Sequence, residues 1–359
     1  MINSNTSFGK LKEVIVGREL TLDKRTVDLT FKYFYKEALV DQNIFEMPFD
    51  KYRINSQILE KRIKELDDLA NTLTSLGIKV HRPNIVNRIR KIKTPTFETE
   101  ATSASNVRDL TLVYKNVILE TPTFVRGRYF ENMEMYSIFD QCYDNGNGGL
   151  WIKAPQTQLI KQTLDLVDWK EDRNFNNIPN QIEMAIDGAQ FLRIGRDVIV
   201  NVATENHYKG LQWVKSFFPD THFHMVKLCD SHIDGNLICL KPGVFLCNPI
   251  NRNIRDQLPA KFKNWKYLYP ENLTETIDVT KMTDLDIRLA SSRGMDINVI
   301  SIDENTVVVY NRAVGVIKIL EENGFNVIPV QLDNGEIFAG GIHCSTLDLV
   351  REDEYIFYA

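Results

Sequence analysis

What most restricts the folding of this chain is a recurring pattern: an apolar strand, a short polar turn and a second apolar strand. It runs as LTLVYKNVILE (110–120), FLRIGRDVIVNV (191–202), LICLKPGVFLC (237–247) and NVISIDENTVVVY (298–310). The turns carry Lys-Asn, Gly-Arg-Asp, Lys-Pro-Gly and Asp-Glu-Asn, residues suited to reversing a hairpin. A fifth copy can be assembled from the two ends, with LDLVREDEYIFYA (347–359) lying near LKEVIVG (11–17). Many strand residues are apolar in succession rather than in alternation, which predicts strands buried on both faces.

Helical periodicity falls between the hairpins. Residues 57–76 place Ile58, Leu59, Ile63, Leu66 and Leu69 on one stripe and stop at Gly77. Residues 313–323 repeat the arrangement and stop at Gly324, and each helix leads into a further short strand, IKVHRP (78–83) and FNVIPV (325–330). The unit is hairpin, helix, strand. A small unit that cannot bury its own faces, used about five times, predicts a closed radial array.

Each copy has a conspicuous polar residue just ahead of its first strand. Asp109 precedes LTLVY, Asp187 precedes FLRIG, and His232 with Asp234 precedes LICL; Ser291 and Ser292 precede INVIS, and Cys344 precedes LDLV. Taken singly, an Asp before a strand is usually a turn residue and a Cys near a chain end a small buried hydrophobe. Taken together, equivalent ends of units arranged about one axis converge on a single central site.

Composition excludes several classes. The 359 residues carry a net charge of −5, which argues against a nucleic-acid binder with its basic face. Five cysteines at wide spacing, with no CxxC pair, point to a reduced protein without disulfides or a zinc site. The start MINSNTSFGK lacks the basic and apolar regions of a signal peptide, and no apolar run approaches the length of a membrane span. These features predict a cytoplasmic chain with small-molecule partners and no membrane or nucleic acid; both monomer and homodimer remain open. The run DNGNGG (144–149) lacks the Lys-Ser/Thr of a phosphate loop, so no cofactor is expected.

Several longer strings complete the picture: LKEVIVGR (11–18), VHRPN (80–84), KTPTFET (93–99), VRDLTLV (107–113), ILETPTFVRGRYFE (118–131), HIDGN with PGVFLCNP (232–249) and GGIHCSTLD (340–348). With these, nearly the whole chain resembles the amidinotransferases of the guanidino-modifying, or pentein, superfamily, which include glycine and inosamine-phosphate amidinotransferases. The resemblance implies an α/β fold, a five-bladed αβ propeller with pseudo-fivefold symmetry, formed as a single domain over residues 1–359. It implies amidino transfer from arginine to an acceptor amine through a covalent amidino-cysteine, with release of ornithine and no metal. The acceptor would be glycine, lysine or an aminocyclitol such as scyllo-inosamine phosphate. By motif position Cys344 is the nucleophile, His232 the acid–base and Asp187 the carboxylate that orients it. Asp109 and Asp234 would clasp the guanidinium, and Ser291 and Ser292 would hold the amino-acid end of the donor.

Three positions depart from the family pattern. Gln190 stands where a second Asp is frequent. Ile250-Asn251 replaces a frequent Asp-Arg, leaving Arg252 or Arg255 to meet the donor carboxylate. Cys229, Asp230 and Ser231 stand where glycine-specific relatives carry bulkier residues. The competing functions are guanidine hydrolysis to citrulline by the same Cys-His apparatus, and a non-catalytic binding protein.

Overall fold

The computed structural model describes residues 2–19, 30, 56–86, 90–144, 149–155, 157, 183–274, 295–335 and 337–359. Among the described residues, five three-stranded sheets share one topology. In each, an antiparallel hairpin is followed by a helix, and the helix returns a third strand parallel to the hairpin's second strand. The first sheet uses both ends of the chain: Thr346–Glu352 pairs antiparallel with Lys10–Val16, which pairs parallel with Lys79–His81 after the helix Ser56–Ser75. The second is Thr111–Tyr114 and Val117–Glu120, then helix Tyr136–Asp144 and strand Leu150–Lys153. The third is Phe191–Ile194 and Asp197–Asn201, then helix Glu205–Lys215 and strand His222–Val226. The fourth is Leu237–Lys241 and Val244–Cys247, then the short helix Ile254–Gln257 and strand Lys266–Leu268. The fifth is Ile300–Ser301 and Thr306–Tyr310, then helix Val314–Glu322 and strand Asn326–Val330. A separate hairpin, Lys91–Lys93 with Glu98–Glu100, stands outside this scheme.

The four internal hairpins and the end-to-end fifth agree with the repeat read from the sequence. Helical periodicity had picked out two of the five crossover helices. The others are shorter or less regularly apolar, and the packing of sheet against sheet holds them in place. Tight turns explain local choices: Gly195 turns the third hairpin at φ 67°, and a Cβ there would lie 2.2 Å from the Ile356 carbonyl oxygen.

Five apolar clusters close the ring, each shared by two successive sheets. Ile15, Leu347 and Leu349 meet Val113 and Ile118 between the first and second. Leu112 and Leu119 meet Phe191, Val198 and Val200 between the second and third. Leu192 and Ile199 meet Leu237 and Phe245 between the third and fourth. Ile238 and Leu246 meet Val307 and Val309 between the fourth and fifth, and Ile300 and Val308 return to Val14 and Val16 of the first. Strands flanked by apolar clusters on both sides must be apolar at consecutive positions, as the sequence shows. Each fully buried Leu, Ile, Val or Phe contributes about 1.5–3 kcal/mol. The first strands of the hairpins therefore begin around one axis, and the residues ahead of them face one another.

Candidate active site

Four sheets deliver five of the residues expected from the sequence, Asp109, Asp187, His232, Asp234 and Cys344, to one buried cluster. Asp109 stands two residues ahead of its strand, Asp187 caps the 3₁₀ turn Gly188–Gln190, and His232 and Asp234 precede Leu237–Lys241. Cys344 lies two residues ahead of Thr346–Glu352. His232 Nε2 meets Asp187 Oδ2 at 2.9 Å, while its Nδ1 is turned to Asp109 Oδ1 at 3.8 Å. The Cys344 thiol donates to Asp234 Oδ2 at 3.2 Å. Cys344, Asp109, Asp187 and Asp234 are all buried.

Neighbours set the form of each member. Gln190 closes a capping box: its Oε1 accepts from the Asp187 backbone N–H at 2.8 Å and its Nε2 donates to the Asn201 carbonyl at 2.6 Å. An amide does here what a second Asp could not, because it both accepts and donates. Arg128 Nη1 donates to Asp109 Oδ2 at 2.7 Å, and Arg128 is held from behind by a two-point pairing with Glu131 at 2.7 and 2.9 Å. The other oxygen of Asp109, Oδ1, is buried without a hydrogen bond. His343 Nδ1 meets Asp234 Oδ2 at 2.9 Å. Arg108 reaches the His343 carbonyl at 2.8 Å and pairs with Asp348, the carboxylate that also receives Arg193 and Arg351.

The loop before the thiol is shaped by two asparagines. A Cβ on Gly340 would lie 2.0 Å from Asn106 Oδ1, and one on Gly341 would lie 2.5 Å from Asn298 Oδ1. The Gly-Gly pair therefore makes room for two amides, each gripping the loop. Asn106 Nδ2 donates to the Phe338 carbonyl at 2.9 Å, and Asn298 Oδ1 accepts from the Cys344 backbone N–H at 3.1 Å.

Burial and charge then divide the protonation states. Burial lifts the Asp109 carboxyl to about 6, even though His232 and Arg128 pull against it. Burial disfavours a charged His232, yet Asp109 and Asp187 outweigh it and raise the ring to about 9. Burial opposes ionisation of Asp234 too, but the His343 hydrogen bond helps hold it at about 2. His343 falls to about 4 through burial and the nearby Arg108. Burial, and then the charges of Asp234 and Asp109, push the Cys344 thiol well above its ordinary value. At neutral pH Asp234 and Asp109 are thus ionised, His232 is protonated and the Cys344 thiol is neutral.

Ser291 and Ser292 lie outside the described residues. Arg252 is exposed on the turn beside Asn251, whose Nδ2 donates to the Leu228 carbonyl at 3.0 Å and so holds that turn against the segment leading to His232. The residue that the fifth sheet brings to the described cluster is Asn298, overlooked in the sequence because an Asn in DINVIS draws no attention. Its position could have revealed it: it stands two residues before its strand, as Asp109 and Cys344 do. Arg128 and His343 were also missed, since each acts by pairing with a carboxylate distant in sequence.

No protein-family model matches the chain. It is 28% identical over 357 residues to inosamine-phosphate amidinotransferase 1 of Streptomyces griseus, covering 98% of this chain and 97% of that one. It is 28% identical over 362 residues to the mitochondrial glycine amidinotransferase of Gallus gallus, covering 97% and 82%. Among solved structures, the Streptomyces griseus enzyme superposes with a TM-score of 0.85 over 100% of this chain and 99% of the other, at 24% identity. SxtG, an amidinotransferase from Microseira wollei, superposes at 0.82 over 100% and 99%, with 26% identity. The architecture is the pentein fold. The chain is a homologue of the amidinotransferases along nearly its whole length. Among the described residues no helix is long and apolar enough to cross a membrane.

Proposed function

We propose that this chain is an amidinotransferase that carries the amidino group of arginine to an acceptor amine through Cys344. The observation that carries the reading is the clustering of one buried thiol, a His–Asp pair and two further carboxylates, Asp109 and Asp234, around one point. A guanidinium is planar and cationic, and its charge is spread over three nitrogens, so it is a poor electrophile. Carboxylates suit it because they accept charge-assisted hydrogen bonds in its plane. Asp109 Oδ1, buried and without a hydrogen bond, is the acceptor awaiting such a partner. Cys344, its S–H proton released to solvent as arginine binds, attacks the central carbon as a thiolate, the C–N bond to the side chain breaks, and the departing nitrogen takes a proton from His232 to leave as the amine of ornithine. The acceptor amine then attacks the amidino-thioether, gives a proton to His232 and expels the Cys344 thiolate.

Arg252 would meet the donor carboxylate, with Ser291 and Ser292 at the donor's amino-acid end. The acceptor is glycine, lysine or an aminocyclitol such as scyllo-inosamine phosphate, and the chain acts in the cytoplasm as a single domain over residues 1–359, as monomer or homodimer. Incubation with arginine and a panel of amines, followed by mass spectrometry, is expected to yield ornithine and a new guanidine. Citrulline would place the chain among guanidine hydrolases, and no turnover of arginine with any amine would overturn the reading.

The clamp has its own test. Asp109→Asn and Asp234→Asn each remove a charged acceptor that meets the guanidinium away from water, and arginine affinity is expected to fall by about 2–5 kcal/mol. Calorimetric titration with arginine would show this; unchanged affinity in both variants would remove these residues from the clamp.

A further inference from the structure

We infer that Asn298 is a catalytic residue of this site, the hydrogen-bond donor that stabilises the Cys344 sulfur as a thiolate. The inference rests on the reading of Cys344 as nucleophile and adds a group to it.

The orientation of the amide follows from its partners. The backbone N–H of Cys344 can only donate, so the atom that faces it at 3.1 Å is Asn298 Oδ1. That leaves the NH₂ group on the sulfur side, 3.3 Å from Sγ. One side chain therefore grips the cysteine at two points, its backbone and its sulfur. Close packing of Gly341 against Oδ1 prevents the amide from moving away on that side. The amide is buried, fixed to the fifth sheet by the 3₁₀ turn Met295–Ile297 before it and the strand Ile300–Ser301 after it.

The chemistry explains why a donor is needed there. The sulfur faces Asp234, to which it donates while protonated, and Asp109 stands in the same cluster. Once the S–H proton leaves, the contact with Asp234 turns from a hydrogen bond into repulsion between two anions. Among the described residues Asn298 Nδ2 is the one hydrogen-bond donor to the sulfur, and its bond strengthens as negative charge develops. The same donor meets sulfur again when the amidino-thioether breaks and the thiolate departs. The titratable and charged groups of the cluster are Asp109, Asp187, His232, Asp234 and His343, with Arg128 behind Asp109 and Arg108 behind His343.

Asn298→Asp tests this with the smallest change of shape. The carboxylate still accepts from the Cys344 N–H, so the loop stays placed, but the sulfur loses its donor and gains a like charge. Turnover is expected to fall by about 10²–10³-fold, the scale for removing one donor from a developing anion. The pH midpoint for alkylation of Cys344, read by peptide mass spectrometry, is expected to move upward. Arginine affinity, measured in a Cys344→Ala background, is expected to stay within about threefold, because Asp109 and Asp234 are untouched. Asn298→Ser, too short to reach the sulfur and uncharged, is expected to show a smaller shift in the same direction. An alkylation midpoint unmoved in both variants would overturn the assignment, whether or not turnover falls, since a merely structural role would cost turnover alone. Because alkylation is read without any acceptor, the result stands apart from whether amidino transfer itself is the reaction.

Discussion

Wild-type protein given arginine and no acceptor is expected to gain the mass of one amidino group on the peptide carrying Cys344. Cys344→Ala is expected to gain none and to lose turnover on the order of 10⁶-fold, as when the nucleophile of another covalent enzyme is deleted. The same sulfur should be sluggish toward alkylating agents in the empty enzyme. An ordinary cysteine is about 3% thiolate at pH 7, and here burial together with Asp234 and Asp109 lifts the thiol further. Arginine brings a fixed positive charge to this cluster, which offsets those carboxylates and favours ionisation. The substrate thereby completes the activation of its own nucleophile, and a proton leaves the site as it binds. A small guanidinium that leaves the sulfur accessible is therefore expected to accelerate alkylation at neutral pH. A thiol that titrates well below 7 in the empty enzyme would contradict this scheme. Active enzyme in which no adduct can be trapped on Cys344 would count against covalent transfer.

His232→Ala should lose about 10²–10⁴-fold in turnover, the usual range for removing a proton-transfer group. Asp187→Asn is expected to lose less, and to lose it in a recognisable way. In the wild type, kcat/KM should fall below a pH of about 6, where Asp109 takes up a proton and can no longer clasp a cation. It should fall again above about 9, where His232 loses the proton it must donate. Asp187 raises the His232 pKa, so replacing its charge lowers that pKa and moves the alkaline limb to lower pH. The acid limb should stay nearly fixed. Wild-type turnover in either variant would sink the acid–base assignment, and an unmoved alkaline limb in Asp187→Asn would separate Asp187 from His232.

The repeat was legible because a strand between two apolar clusters leaves a plain trace: consecutive apolar residues closed by turn-forming residues. Tyr114 and Val117 flank one such turn, Ile194 and Asp197 another. Even the fifth sheet, assembled from Lys10–Val16 and Thr346–Glu352, could be inferred because both halves carry the same pattern. Sites ahead of each strand could be read for the same reason, once the units were set around an axis. Asp109, Asp187, His232, Asp234 and Cys344 are chemically unusual at those positions and announce themselves.

Only the tertiary structure decided how these groups are tuned. The Gln190 capping box, the Arg128–Glu131 support behind Asp109, the His343–Asp234 contact and the two-point grip of Asn298 on Cys344 each join residues through space. Hydrogen bonds and charge pairs of this kind depend on distances of a few ångströms between side chains far apart in the chain, and they leave no period behind. The sequence by itself determined the repeat, the ring it builds and the chemical types gathered at its axis, because hydrophobic burial acts on pattern. The protonation state of each group at that axis was decided by the fold alone, because it depends on burial and on which charge stands beside which.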